Sequence, residues 1–100
     1  MYQKASDSEA QFVGANMEET NFKSVRGANA NFVRCELNNS NFESARIEKS
    51  DFANAQLNEA NFESARAAKA NFTNCELKNA IFTSARLTNA IFDGAKNFSV

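Results

Sequence analysis

Histidine, proline and tryptophan are absent from this chain of 100 residues, which has only three glycines and two cysteines. Without histidine there is no usual general base, no commonest metal ligand and no partner for most nucleophilic dyads. The glycines form no phosphate-cradling loop, and Cys35 and Cys75 lack the spacing of a metal-binding pair. Two cysteines are also too few for a disulfide framework. No charge of one sign dominates: Lys plus Arg total 11 and Asp plus Glu total 12, for a net charge of −1. That balance argues against a general attraction to nucleic acid or to anionic membranes. No apolar run approaches the ~20 residues that span a bilayer. The stretch Met1–Ala5 lacks the apolar segment of a secretory signal. These absences lead to the expectation of a cytoplasmic, non-enzymatic protein with no cofactor, metal or small-molecule ligand, and with neither nucleic acid nor membrane as partner.

What the sequence does contain is phenylalanine, ten residues of it, placed with great regularity. Phe12, Phe22, Phe32, Phe42, Phe52, Phe62, Phe72, Phe82 and Phe92 fall ten residues apart, with Tyr2 in the same series. Midway between them stand Met17, Leu37, Ile47, Leu57, Leu77 and Leu87. Large apolar residues therefore recur every five positions, and two positions before most of them comes a compact residue, usually Ala. A fixed period of this kind overrides local propensity. Five residues cannot continue one face of an α-helix, because 3.6 residues per turn would set successive Phe about 140° apart. The triplet of small, polar and large residues does suit a strand, in which alternate residues share a face. The two remaining polar residues must then turn the chain so that the next triplet again points inward.

A longer period lies above the short one. Residues 41–60 match residues 61–80 at 11 of 20 positions, whereas residues 51–60 match 61–70 at only three of ten. Arg26, Arg46, Arg66 and Arg86 share the interval of 20, as do Ser24, Ser44, Ser64 and Ser84. Twenty residues per coil and five per side predict an all-β, four-sided parallel β-helix of about five coils over residues 1–100. Residues 1–9 are expected to be an irregular first coil, because Asp7 occupies an apolar slot, and residues 97–100 a C-terminal cap, because Phe98 is displaced by one position.

The units Ala30-Asn31-Phe32, Ser50-Asp51-Phe52, Ala60-Asn61-Phe62 and Ala70-Asn71-Phe72 resemble the pentapeptide-repeat family, whose loose motif is Ala, Asp or Asn, Leu or Phe, then two free positions. The resemblance covers roughly residues 10–96 and implies a right-handed coil. It is specific for fold and nearly silent on function. Some members imitate duplex DNA and modulate DNA gyrase, and members often dimerise through their C-terminal ends.

The nine Phe are expected to be structural core, stacked along the axis with Ala, Ser and Cys beside them. Gly27 and Ala67 leave one interior column thin, which neighbouring rings could fill. Cys35 and Cys75, two coils apart, are expected to be unpaired fillers equivalent to Ala. The Asn and Asp residues before each Phe are expected to satisfy turn backbone or to stack on one another. Two surface features remain. The column Arg26, Arg46, Arg66 and Arg86 is either a partly neutralised solvated ladder, with Glu43 and Glu63 as counter-charges, or a docking strip for an acidic partner. Ile81 and Ile91 replace Asn or Asp at outward positions, and with Phe98 and Val100 they suggest a C-terminal self-association surface; the alternative is a monomer in which Phe98 folds over the axis. The leading functional expectation is a structural scaffold or protein–protein interaction module with an unidentified protein partner, a homodimer through its C-terminal end. The alternative is a DNA-imitating modulator of gyrase, which the balanced charge and the Arg column disfavour.

Overall fold

A computed structural model describes residues 9–98. Tyr2, Asp7 and Val100, assigned above to the aromatic column, the loose first coil and the C-terminal cluster, lie outside the described residues.

One unit explains the rest, because every backbone N–H in Asn41–Ala45 has a partner. Asn41 donates to the Thr20 carbonyl in the preceding coil at 3.0 Å, while Phe42 and Ser44 donate forward to Asn61 and Glu63 at 2.7 and 2.9 Å. Ala45 closes the turn by donating to the Phe42 carbonyl at 3.0 Å. The remaining donor, the Glu43 amide, is taken by the Asn41 side-chain Oδ1 at 2.9 Å. A buried backbone donor without a partner is costly, so this complete accounting is what allows so small a unit to repeat. The same side-chain bond recurs from Asn21, Asn31, Asp51, Asn61 and Asn71 to the amide two residues on, at 2.9–3.0 Å. It is the local reason for Asn or Asp before the Phe.

Parallel bridges join residues twenty apart and fall into four columns, which begin at Gln11, Asn16, Asn21 and Arg26. Between bridges the chain turns once in every five residues, always through a residue in the left-handed region, from Glu9 at φ 64° to Gly94 at φ 71°. That conformation is uncommon for residues other than glycine and is most accessible to Asn, Asp and Gly. Asn, Ser, Glu, Lys, Arg and Gly fill the position, and no β-branched residue does so among the described residues.

Inside, two files of rings run along the axis. Phe32, Phe52 and Phe72 stack at 4.8 and 5.1 Å with planes within 2° of parallel, and Phe42, Phe62 and Phe82 stack at 4.9 Å. Between the files, rings meet edge to face at 5.6–6.0 Å, as between Phe42 and Phe52 or Phe52 and Phe62. Both geometries suit the ring quadrupole. Phe22 to Phe72 are fully buried, whereas Phe12 and Phe92 at the ends are only partly so. At Gly27 the thin column is not filled by rings. The space beside Gly27 is taken by Val25 and Ile47, whose methyl groups stand 3.9 and 3.7 Å from where a glycine Cβ would lie. Val25 is the bulky member of a column otherwise made of Ala45, Ala65 and Ala85, and it compensates for the glycine two residues on.

Candidate interaction surfaces

The arginine column is assembled as the spacing predicts. Arg26, Arg46, Arg66 and Arg86 are joined rung to rung by parallel bridges, and all four are exposed. The expected counter-charges are not in place. Glu43 lies 3.9 Å from Lys23, in its own column, and among the described residues no carboxylate pairs with any of the four arginines. Glu43 and Glu63 are separated from Arg46 and Arg66 along the chain by the turns at Ser44 and Ser64. Half a coil away stand Asn16, Glu36, Gln56, Glu76 and Lys96, also bridged in one column.

The last described coil forms one edge of the described sheet. In earlier coils the amides equivalent to Phe82, Ser84, Leu87, Asn89, Phe92 and Gly94 donate to the next coil; here none has a carbonyl partner among the described residues. Ile81 and Ile91 flank this edge at 45% and 43% exposure, the most exposed large hydrophobic residues apart from Val13 among the described residues. They belong to different bridge columns, half a coil apart, and so do not form one patch. Phe98 is separate from both: its ring stacks on Phe92 at 4.0 Å and meets Phe82 edge to face at 5.6 Å. The displaced phenylalanine closes the axis by extending the ring file, which is the folded-over arrangement.

The two cysteines are free and buried. Each is more than a filler, since its thiol donates to a backbone carbonyl, Cys35 to Phe12 and Cys75 to Phe52, both at 2.8 Å. Burial pushes the Cys75 thiol up to about 12, with the Asp51 charge adding to it and a hydrogen bond to the Ala55 backbone opposing it. Burial also raises Cys35, against hydrogen bonds to the Ala15 and Gly14 backbone. Thiols held protonated in this way are poor nucleophiles and poor metal ligands. No cluster of three metal-ligating side chains occurs among the described residues, and no helix there is long and apolar enough to cross a membrane.

Constant parallel bridging around a ring-filled axis defines the class of protein, a β-helical solenoid built from one short unit. The sequence profile of the pentapeptide repeat region matches residues 5–82, and the chain belongs to the pentapeptide-repeat family. A pentapeptide repeat protein of the Arabidopsis thaliana thylakoid lumen is similar over 94% of this chain and 63% of its own length, at 28% identity and a TM-score of 0.75. HetL, a pentapeptide repeat protein involved in heterocyst differentiation regulation in the cyanobacterium Nostoc, is similar over 90% of this chain and 48% of its own, at 17% identity and a TM-score of 0.57. The chain thus spans less than two thirds of either structure. Comparison with curated proteins gives no match. The fold these likenesses carry is the right-handed β-helix.

Proposed function

We propose that this chain is a cytoplasmic, non-enzymatic interaction module: a four-sided coil of about five turns that self-associates through its C-terminal edge. Four bridge columns and one turn every five residues support the square section. The observation that carries the functional reading is the row of amides on the last described coil that have no partner among the described residues, flanked by exposed Ile81 and Ile91. Such an edge is a template for pairing with another chain, and apolar side chains beside it favour association over solvation. With Phe98 already seated over the axis, the edge amides and the two isoleucines, rather than Phe98, supply the contact. Imitation of DNA is the weaker reading, since a DNA-like surface is strongly anionic and this one exposes four unpaired arginines on one side.

Light scattering on Ile81→Asn/Ile91→Asn tests the proposal. Asn at these positions can accept a bond from the amide two residues on, as Asn61 does from Glu63, so the fold is expected to survive. The parent is expected to be a dimer and the variant a monomer; identical masses would remove the isoleucines from the interface.

A further inference from the structure

The charges of this nearly neutral chain are sorted by side. On the arginine side, Arg26, Arg46, Arg66 and Arg86 with Lys49 and Lys69 are opposed by Glu9 and Glu48, leaving +4 among the described residues. Half a coil away, Glu18, Glu19, Glu36, Glu59 and Glu76 are opposed by Lys78 and Lys96, leaving −3. Among the described residues neither set is neutralised internally, because the ion pair between Lys23 and Glu43 belongs to a third side. The register holds both sets on rungs of one spacing, for which the 4.9 Å stack of Phe42 on Phe62 is the internal ruler.

We propose that the positive side of one copy docks on the negative side of another, so that copies associate laterally with their coils in step. Two properties favour a second copy as the occupant. Its carboxylates are spread over four successive rungs, as Glu18 and Glu19, Glu36, Glu59 and Glu76, so each rung of arginines meets a counter-charge, although not in one column. An extended acidic peptide lying along the axis would present same-face carboxylates about 6.8 Å apart and fall out of step with a 4.9 Å ladder within two rungs. The complementary side is also present on every molecule. The contact is heterologous and does not close on itself, so it makes open rows. It is also small. Even the full 28 × 24 Å profile of the chain is below the ~800 Å² per partner of a standard stable interface. The association is therefore weak, concentration-dependent and sensitive to salt, and it is separate from the C-terminal contact.

Sedimentation velocity on three proteins tests this. The parent is compared with Arg26→Gln/Arg46→Gln/Arg66→Gln/Arg86→Gln, which removes the net charge of the positive side, and with Glu36→Gln/Glu59→Gln/Glu76→Gln, which removes the net charge of the negative side. All three carry Ile81→Asn/Ile91→Asn, so that the C-terminal edge contributes nothing to the result. At ~0.01 M ionic strength, where screening extends over ~30 Å, the parent is expected to sediment faster as its concentration rises; at ~1 M, where it extends ~3 Å, it should not. Each glutamine variant alone is expected to stay monomeric at low salt, and an equimolar mixture to form 1:1 complexes and nothing larger. Association of the parent that is indifferent to salt, low-salt association of either variant alone, or a mixture of monomers only would each overturn the proposal. So would a parent that is monomeric at low salt and every concentration, with its positive side then left for an acidic partner other than itself.

Discussion

The thiol of Cys75 reaches back twenty-three residues to donate to the carbonyl of Phe52, 2.8 Å away. The Ser50 hydroxyl has the same relationship to Gly27, at 2.6 Å, and also accepts from the Ala30 amide at 3.2 Å. The compact position of each unit is thus a socket into which a small donor fits, aimed at the carbonyl that closes a turn in the coil before.

The first prediction follows from the protonated state of that thiol. Cys75 titrates at about 12 when folded, above its ordinary value of 9.0, so the folded protein holds a proton that the unfolded chain releases first. The resulting stability is intact below about pH 9 and is lost as pH rises from there towards 12, at up to about 1.4 kcal/mol per pH unit. Cys75→Ser keeps a donor in the socket and removes the titration. Urea unfolding at pH 7 and pH 10 is expected to show a smaller loss of stability for the serine variant than for the parent. Equal losses would mean that the thiol does not contribute.

A neighbouring position supplies the second prediction. Ser40 occupies the same socket as Ser50, yet its hydroxyl is buried without a partner. Leaving a buried hydroxyl unsatisfied costs about 1–3 kcal/mol, whereas removing a bonded one loses about 1 kcal/mol net. Ser40→Ala should therefore be neutral or stabilising, and Ser50→Ala destabilising by about 1 kcal/mol or more. Chemical denaturation of the two variants beside the parent gives the sign of each. A destabilised Ser40→Ala would show that its hydroxyl is bonded in solution.

The interior supplies the third. Phe52 and Phe62 are fully buried, stacked on both sides and met edge-on by the opposite file. Truncation to Ala is expected to cost about 3–5 kcal/mol, from lost transfer energy and the cavity left behind. Phe92→Ala, at the less buried end, should cost less, although it also undermines the Phe98 ring resting on it. Thermal melting of the three variants would show the order; equal costs would argue against a graded core.

The interval of twenty and the inward phase of the Phe series were plain in the sequence because identity recurs wherever side chains stack on their own kind. Features that depend on unlike residues meeting were not. Gly27 looked like a gap, since nothing in the pattern says that Val25, a single departure from Ala, fills it together with Ile47. The Glu43 side chain looked like a counter-charge for the arginines because sequence distance does not reveal the turn between them; it lies instead 3.9 Å from Lys23, one coil earlier in its own column. Phe98 looked like a break in phase, and its ring nevertheless rejoins the file, because Asn97 turns the chain at φ 59°, two positions earlier than the five-residue series would. The sockets of Cys35 and Cys75 were invisible for a similar reason: thiol and carbonyl come from successive coils whose vertical fit no linear pattern records.

The last prediction concerns a position defined by exclusion. Ser44 and Ser64 stand at φ 58° and 59°, and every fifth residue beside them along the chain shares the conformation. Ser, Lys, Glu and Arg are all found there, so composition alone does not mark it; only the lack of Val, Ile and Thr does. A left-handed backbone costs an ordinary L-residue roughly 1–2 kcal/mol, and a β-branched side chain fits it worst. Ser64→Val is therefore expected to destabilise the coil by at least about 1 kcal/mol, although residue 64 is exposed and a surface change elsewhere would be nearly silent. Ser64→Asn and Ser64→Gly should leave stability within about 0.5 kcal/mol of the parent or raise it, since both tolerate positive φ. Urea midpoints for the three variants would separate backbone strain from lost side-chain contacts. If strain governs, Val alone falls; if the serine hydroxyl matters, Gly falls with it.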